Sequence, residues 1–370
     1  MDLLRILSMG LIVLLHECVY GGLLELPTGN ADLPATMMWF VYALTYVAVN
    51  CYVLISGYFQ CTQSFKLSRL LKVATTVWFY SWGIMVLMVV FGGEKLSLYY
   101  MLKHLLPISF DQYWFITTYI GLCLLTPFLN QFIQSITKKQ HFFAIVVMLF
   151  LLGLWRDVLP TNGSPVFDNA SYCLPLFVEL YLIAAYIRLH VDVQKLKRTV
   201  WVYFACSALA TLAWFALTWI YARGVDYSFA IPTDYYYRNN STLTIVGSVG
   251  LFIAFFNLRI NNRHVMKFIG TCAPLTLGVY VIHEHNLLRM PMWDTIMGIV
   301  RFEHDILLPL KAILLAALMM GIMFGIDFLR AKLFGLMERS NWYKILMSRI
   351  DNFVVAVGDK LFKKIGDVTE

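Results

Sequence analysis

Charge is scarce in this sequence: 14% of its 370 residues are Asp, Glu, Lys or Arg, against roughly a quarter in soluble domains. So few charges cannot coat a water-exposed surface, which excludes a soluble globular protein and leaves no basis for nucleic-acid binding. Paired cysteines are missing too. Cys18, Cys51, Cys61, Cys123, Cys173, Cys206 and Cys272 are scattered without a C-x-x-C pair and read as small apolar residues. There is no internal repeat. The longest polar segments run about 20 residues and hold turn formers such as Pro160, Gly163, Pro165 and Pro232, too short for a second domain. No small-x-small cleavage site follows the first apolar run, whose end is interrupted by His16 and Glu17, so it is expected to be retained.

What is present is apolar sequence. Hydrophobic residues make up 60% of the chain, and apolar runs near the ~20 residues that cross a bilayer recur along it. The expected fold class is all-α: a polytopic integral membrane protein of about ten transmembrane helices. The candidates are 3–22, 36–60, 70–92, 112–134, 141–159, 171–190, 199–222, 242–260, 267–288 and 307–330. With a cytoplasmic N-terminus, the outer segments hold Lys95, Lys103, Arg156, Arg223, Arg238, Arg289, Arg301 and Lys311, and the other 21 of the 29 cations lie inside. That asymmetry predicts both termini in the cytoplasm and a multi-pass protein of the cell (cytoplasmic, inner) membrane. Residues 1–335 read as one transmembrane domain and 336–370 as a basic amphipathic cytoplasmic tail. In the tail Leu346, Ile350, Phe353, Val357 and Leu361 recur at helical spacing among Arg349, Lys360, Lys363 and Lys364, as in an interfacial helix on an anionic leaflet.

An ionisable group within a span is costly unless paired or hydrated, so each one marks a candidate site. Arg5 and His16 are eleven residues apart, about three turns and 16 Å, and so share one face of the first helix. Glu17 points about 100° away from His16, so any partner of His16 must come from another helix. A neutral imidazole in a half-buried site is the commonest general base. Ser56 and Gly57 at the end of the second span allow close approach of another helix or of a ligand. Lys66, Arg69 and Lys72 then step slowly round a helix, as a phosphate-facing edge or as a topology signal. Tyr113-Trp114-Phe115 opens the fourth span as an aromatic belt or a platform for a sugar ring. His283, Glu284 and His285 would fan over about 200° on one helix, a weak metal site, so no metal is expected. Glu179, deep in the sixth span, either neutralises a buried cation or holds a polar contact between helices.

Arg5-x10-His16, the Ile-Ser-Gly-Tyr-Phe run at 55–59, the Lys66/Arg69/Lys72 series, Trp114-Phe115 and Gly278-Val279-Tyr280-Val281-Ile282-His283 occur in that order. Together they resemble the bacterial membrane acyltransferase-3 family over roughly residues 1–335, most closely the branch that O-acylates surface polysaccharides. The resemblance implies transfer of an acyl group, usually acetyl, from cytoplasmic acyl-coenzyme A to a hydroxyl of a cell-surface glycan or its lipid-linked precursor. It makes His16 the catalytic histidine and Arg5 the motif arginine. Arg69 with Lys72 becomes the basic pair near the donor, with Lys66, Ser56 and Gly57 beside it, and Trp114 and His283 fall on the acceptor side. Acyl-coenzyme A enters as co-substrate and no cofactor is implied. The lipid bilayer and enzymes of glycan assembly are the remaining partners. Lys72 stands where the family often has a second arginine, exchanging a bidentate phosphate ligand for a point charge. Asn50-Cys51 replaces a more usual apolar or proline-containing approach to the Ser-Gly element. The alternative reading is a transporter or flippase for a glycan or lipid-linked sugar, with Arg5, His16 and Glu179 along its path. Against it, the sequence has no two-half symmetry and no paired interrupted helices.

Overall fold

The structure, a computed structural model, describes every residue except 25–31, 96, 160–169, 225–231, 301 and 370, and of residues 170, 355 and 357–369 the backbone alone. Pro160, Gly163, Pro165 and Arg301 therefore lie outside the described residues. So do the side chains of Val357, Lys360, Leu361, Lys363 and Lys364 in the tail.

All ten expected stretches are helical, and no strand occurs among the described residues. The chain opens with α1 (Asp2–Tyr20), α2 (Leu33–Thr45), α3 (Val47–Gln60), α4 (Leu67–Phe91), the short α5 (Leu98–Leu105) and α6 (Trp114–Ser135). Next, α7 (Lys138–Leu149) runs through a π-helical turn, Phe150–Leu154, into α8 (Trp155–Val158), followed by α9 (Leu174–His190), α10 (Val200–Tyr221) and α11 (Thr242–Phe256). Then α12 (Arg263–Cys272) passes through a 3-10 turn, Ala273–Leu275, into α13 (Thr276–His283), and the chain closes with α14 (Arg289–Val300), α15 (Leu308–Arg339) and α16 (Asn341–Thr369).

Among the described residues, eight of the ten stretches form helices long and apolar enough to cross a membrane. The other two are shorter, α9 with 17 residues and α11 with 15. Polar residues just outside the apolar runs set several helix starts. Asp32 accepts from the Ala35 N–H at 2.9 Å, Thr137 and Gln140 form a capping box, and Asn262 accepts from His264 and Val265. Two spans are interrupted, at Tyr46 between α2 and α3 and at Pro274 between α12 and α13. Neither break was foreseen from the sequence, which reads as having no paired interrupted helices. Pro274 lacks the N–H that would continue the helix and was the available signal.

The centre of the bundle is α1, packed against α2, α3, α13 and α15. One core joins Val13, Met38, Val77, Val281 and Ala312, a second joins Val53, Leu122, Leu180 and Phe252, and a small third joins Ile6, Ile269 and Cys272. Outward faces are apolar as well: Trp201, Leu212 and Trp219 on α10, and Leu314, Leu318 and Leu329 on α15, are exposed. Patches of this size are untenable in water and natural against lipid tails. Gly278 fixes the position of α13, because any side chain there would collide with the Asp327 carboxylate of α15. That carboxylate, fully buried, accepts from the Tyr80 hydroxyl of α4 at 2.8 Å and from Arg330 at 2.6 Å. The ion pair within α15 thus ties that helix to α4, while α13 packs against it at Gly278.

The tail is helical, as its spacing predicts, and it is docked. Asp351 of α16 accepts from the Ser68 N–H at 2.8 Å and from its hydroxyl at 2.7 Å, at the start of α4. Trp342, Ile345, Leu346 and Phe353 are exposed along α16. Position 335/336 lies inside α15, which ends at Arg339.

Candidate active site

Two cavities succeed one another along α1, and a smaller cleft at the start of α4 adjoins the first of them. A small cleft of about 90 Å³ is lined by Lys66 and Arg69 with Gln60 and Tyr119. Across Val73 and Tyr119, which line both, lies a cavity of about 480 Å³ that holds Arg5, Tyr52 and Ser56. Beyond a partition made of Ile12, Phe115 and Tyr280 lies a third, of about 360 Å³, that holds His16, Tyr20, Trp114 and Arg289. Ile12 sits seven residues after Arg5 and four before His16, so the face predicted from the eleven-residue spacing is the face that lines the cavities.

The two ends differ in chemistry. At the Arg5 end, Arg5 pairs with Asp2, the Tyr52 hydroxyl donates to the Arg5 carbonyl at 2.8 Å, and Ser56 lies 3.4 Å from the Tyr119 hydroxyl. At the His16 end, Nδ1 of His16 is 2.9 Å from Nε2 of His283, and Nδ1 of His283 is 2.6 Å from the carbonyl oxygen of Val279. A carbonyl only accepts, so His283 Nδ1 carries the hydrogen and its Nε2 presents a lone pair. His16 Nδ1 must then donate, which in the neutral pair leaves the lone pair on Nε2 of His16. Glu284 Oε1, 3.2 Å from His16 Nδ1, favours the same tautomer and would stabilise the imidazolium. Its other oxygen is 3.4 Å from Arg289, whose guanidinium also meets the Tyr20 hydroxyl at 3.2 Å and lies over that ring.

Glu284 reaches His16 because α13 stops at His283 and the chain turns there. The treatment of His283, Glu284 and His285 as three positions on one helix is thus corrected. His285 faces away, 3.1 Å from the Ser81 carbonyl and stacked on His104. His16, His283 and Glu284 bring three possible metal-ligand atoms within 4.8 Å of one another. With Arg289 beside Glu284 and the two imidazoles at hydrogen-bond distance, the arrangement fits a proton relay better than a cation site.

The remaining expected residues divide. Lys66, Arg69, Ser56 and Trp114 line the cavities, and His283 is fully buried behind His16. Gly57 lines none: a side chain there would come within 3.0 Å of Ala184 and Tyr181 on α9, so it serves helix packing. Lys72 also lines none and pairs with Glu338 at 2.9 Å. Glu179 is fully buried, and neither of its carboxylate oxygens has a hydrogen-bond partner among the described residues. Glu284, Arg289 and Tyr280 are site residues that sequence reasoning did not select. Tyr280 stands within the 278–283 run, Glu284 only within the weak metal trio, and Arg289 only among the outer cations.

No curated protein and no solved structure matched the chain. A protein family did, described as an acyltransferase domain and matched over residues 1–328. That stretch contains α1 to α14, every residue of the three cavities and most of α15, so the chain belongs to the acyltransferase-3 family of polytopic membrane acyltransferases.

Proposed function

We propose that this acyltransferase moves an acyl group, acetyl by preference, from cytoplasmic acyl-coenzyme A to a hydroxyl of a cell-surface glycan or its lipid-linked precursor, within the cytoplasmic membrane. The observation that carries the reading is the run of adjoining cavities, from the basic cleft at the start of α4 through the Arg5 cavity to the one that holds an oriented imidazole on α1. Coenzyme A is a polyphosphate with a long thin arm. Lys66, Arg69 and Arg5 offer cations to the phosphates. The middle cavity, where Met9, Ile12, Val73 and Phe115 alternate with hydroxyls such as those of Tyr52, Ser56 and Thr276, suits an arm that is apolar between its amides. Trp114, Tyr20, Tyr42 and Tyr172 around His16 give the third cavity aromatic faces suited to a sugar ring.

The chemistry follows from the tautomer. Nε2 of His16 removes the proton of the acceptor hydroxyl, and the sugar oxygen attacks the thioester carbonyl. The resulting imidazolium is steadied by Glu284 and returns the proton to the departing thiolate. The test is a mass comparison of surface glycans from cells with the wild-type protein, with His16→Ala, and without the protein. The wild type should add one acyl mass per repeat, and His16→Ala should lose it while its level in the membrane stays near normal. Loss of a general base lowers the rate by about 10²–10⁴. No acyl shift in wild-type cells, or an undiminished one in His16→Ala, overturns the reading.

A further inference from the structure

Acyl transfer needs a hydrogen-bond donor for the oxygen that becomes negative as well as a base. Tyr280 has two features that the base does not explain. Its side chain, 5% exposed, belongs to the partition between the Arg5 and His16 cavities. Its hydroxyl is also buried, with no hydrogen-bond acceptor among the described residues. The backbone N–H of Phe115, in the first turn of α6, faces its oxygen, and that group is itself a donor. A buried polar group left unmade costs about 1–3 kcal/mol, and in a native protein it asks for an explanation.

The partition supplies one. An acyl group delivered from the Arg5 cavity to an acceptor in the His16 cavity must pass Ile12, Phe115 and Tyr280, and of these three side chains only Tyr280 carries a polar group. Tyr280 also lies one turn ahead of His283 on α13, with ring centroids 6.0 Å apart, close to the relay that holds His16. We propose that Tyr280 is a catalytic residue whose hydroxyl donates a hydrogen bond to the thioester carbonyl oxygen at the partition and holds the oxyanion that forms there.

The inference rests on the acyl-coenzyme A reading above. In the step it describes, the acceptor O–H proton goes to Nε2 of His16 while the C–O bond forms. The carbonyl electron pair moves onto oxygen, under the Tyr280 hydrogen bond. Collapse restores the carbonyl, breaks the C–S bond, and sends the His16 proton to the thiolate. Tyr280 keeps its own proton throughout.

The experiment uses the full-length protein in proteoliposomes with acetyl-coenzyme A and the lipid-linked glycan fraction from cells lacking the protein, reading free thiol and acetylated product. Tyr280→Phe should lower kcat by about 10²–10³ and leave donor KM within about threefold. Difluorotyrosine at 280, with the same shape and a more acidic phenol, should retain turnover. The proposal is overturned if Tyr280→Phe keeps kcat within about threefold of wild type, if its donor KM rises as much as kcat falls, or if the difluorotyrosine protein is as slow as Tyr280→Phe. Wild-type protein that transfers nothing from acetyl-coenzyme A refutes the donor reading and this inference with it. An active wild type with an equally active Tyr280→Phe refutes this inference alone.

Discussion

His16 supplies only a ring; its direction comes from residues nearly three hundred positions away. Val279 sets the tautomer of His283, His283 sets that of His16, and Glu284 adds a charge beside the same nitrogen. Removing the charge alone should therefore separate orientation from basicity. Glu284→Gln keeps the shape but no longer steadies the imidazolium, and kcat should fall on the order of 10²-fold with donor KM little changed. Steady-state kinetics on the purified variant checks this, and an unaltered kcat would leave Glu284 as a partner of Arg289 only. The alignment of Arg5 with His16 was legible because helical spacing is fixed by backbone geometry. The arrival of Glu284 was not, because neither glycine nor proline marks the end of α13 at His283. Lys72 and Gly57 show the reverse case, in which residue type points one way and the observed contacts another. Their types suit a ligand site, but Glu338 and α9 claim them first.

At the scale of elements, α4 begins with a helix end that its own sequence leaves uncapped, since no side chain of Lys66 serves the free N–H groups. The cap comes instead from Asp351 on α16, at Ser68, next to Arg69 of the basic cleft. Asp351→Ala should cost about 1 kcal/mol of stability, as lost caps do. It should also raise the apparent KM for acyl-coenzyme A several-fold by loosening the turn that carries Arg69. Thermal melting in detergent and donor titration together check this, and a lower melting temperature with unchanged KM would confine α16 to a structural role. The ten long apolar stretches were plain in the hydropathy, because a bilayer demands continuous apolar length. The short helices α5 and α14 were hidden, since 8 and 12 residues between spans give too little periodic signal to stand out from loops. Docking of the tail onto α4 depends on one carboxylate meeting one helix start, which no spacing within the tail reveals.

Over the whole molecule, the low charge content has a simple accounting. The surface that would need charge in water faces lipid instead, through side chains such as Leu212, Leu318 and Leu329. Most cations mark the side of the membrane, and a few, Arg5, Arg69 and Arg289, sit at cavities. The partition of Ile12, Phe115 and Tyr280 matters here beyond the reaction. A protein hollowed from both ends is one broken wall away from being a pore, and each charge leaking through would release about 2.3 kcal/mol per 100 mV of membrane potential. Phe115→Ala should thin that wall enough to make proteoliposomes lose a preset proton gradient faster than wild type, as read by a trapped pH dye. Vesicles as tight as wild type would show that the seal lies elsewhere. Under the proposed reaction, an acyl group would pass between two compartments while the bilayer stayed electrically closed, so that carbon crossed and current did not.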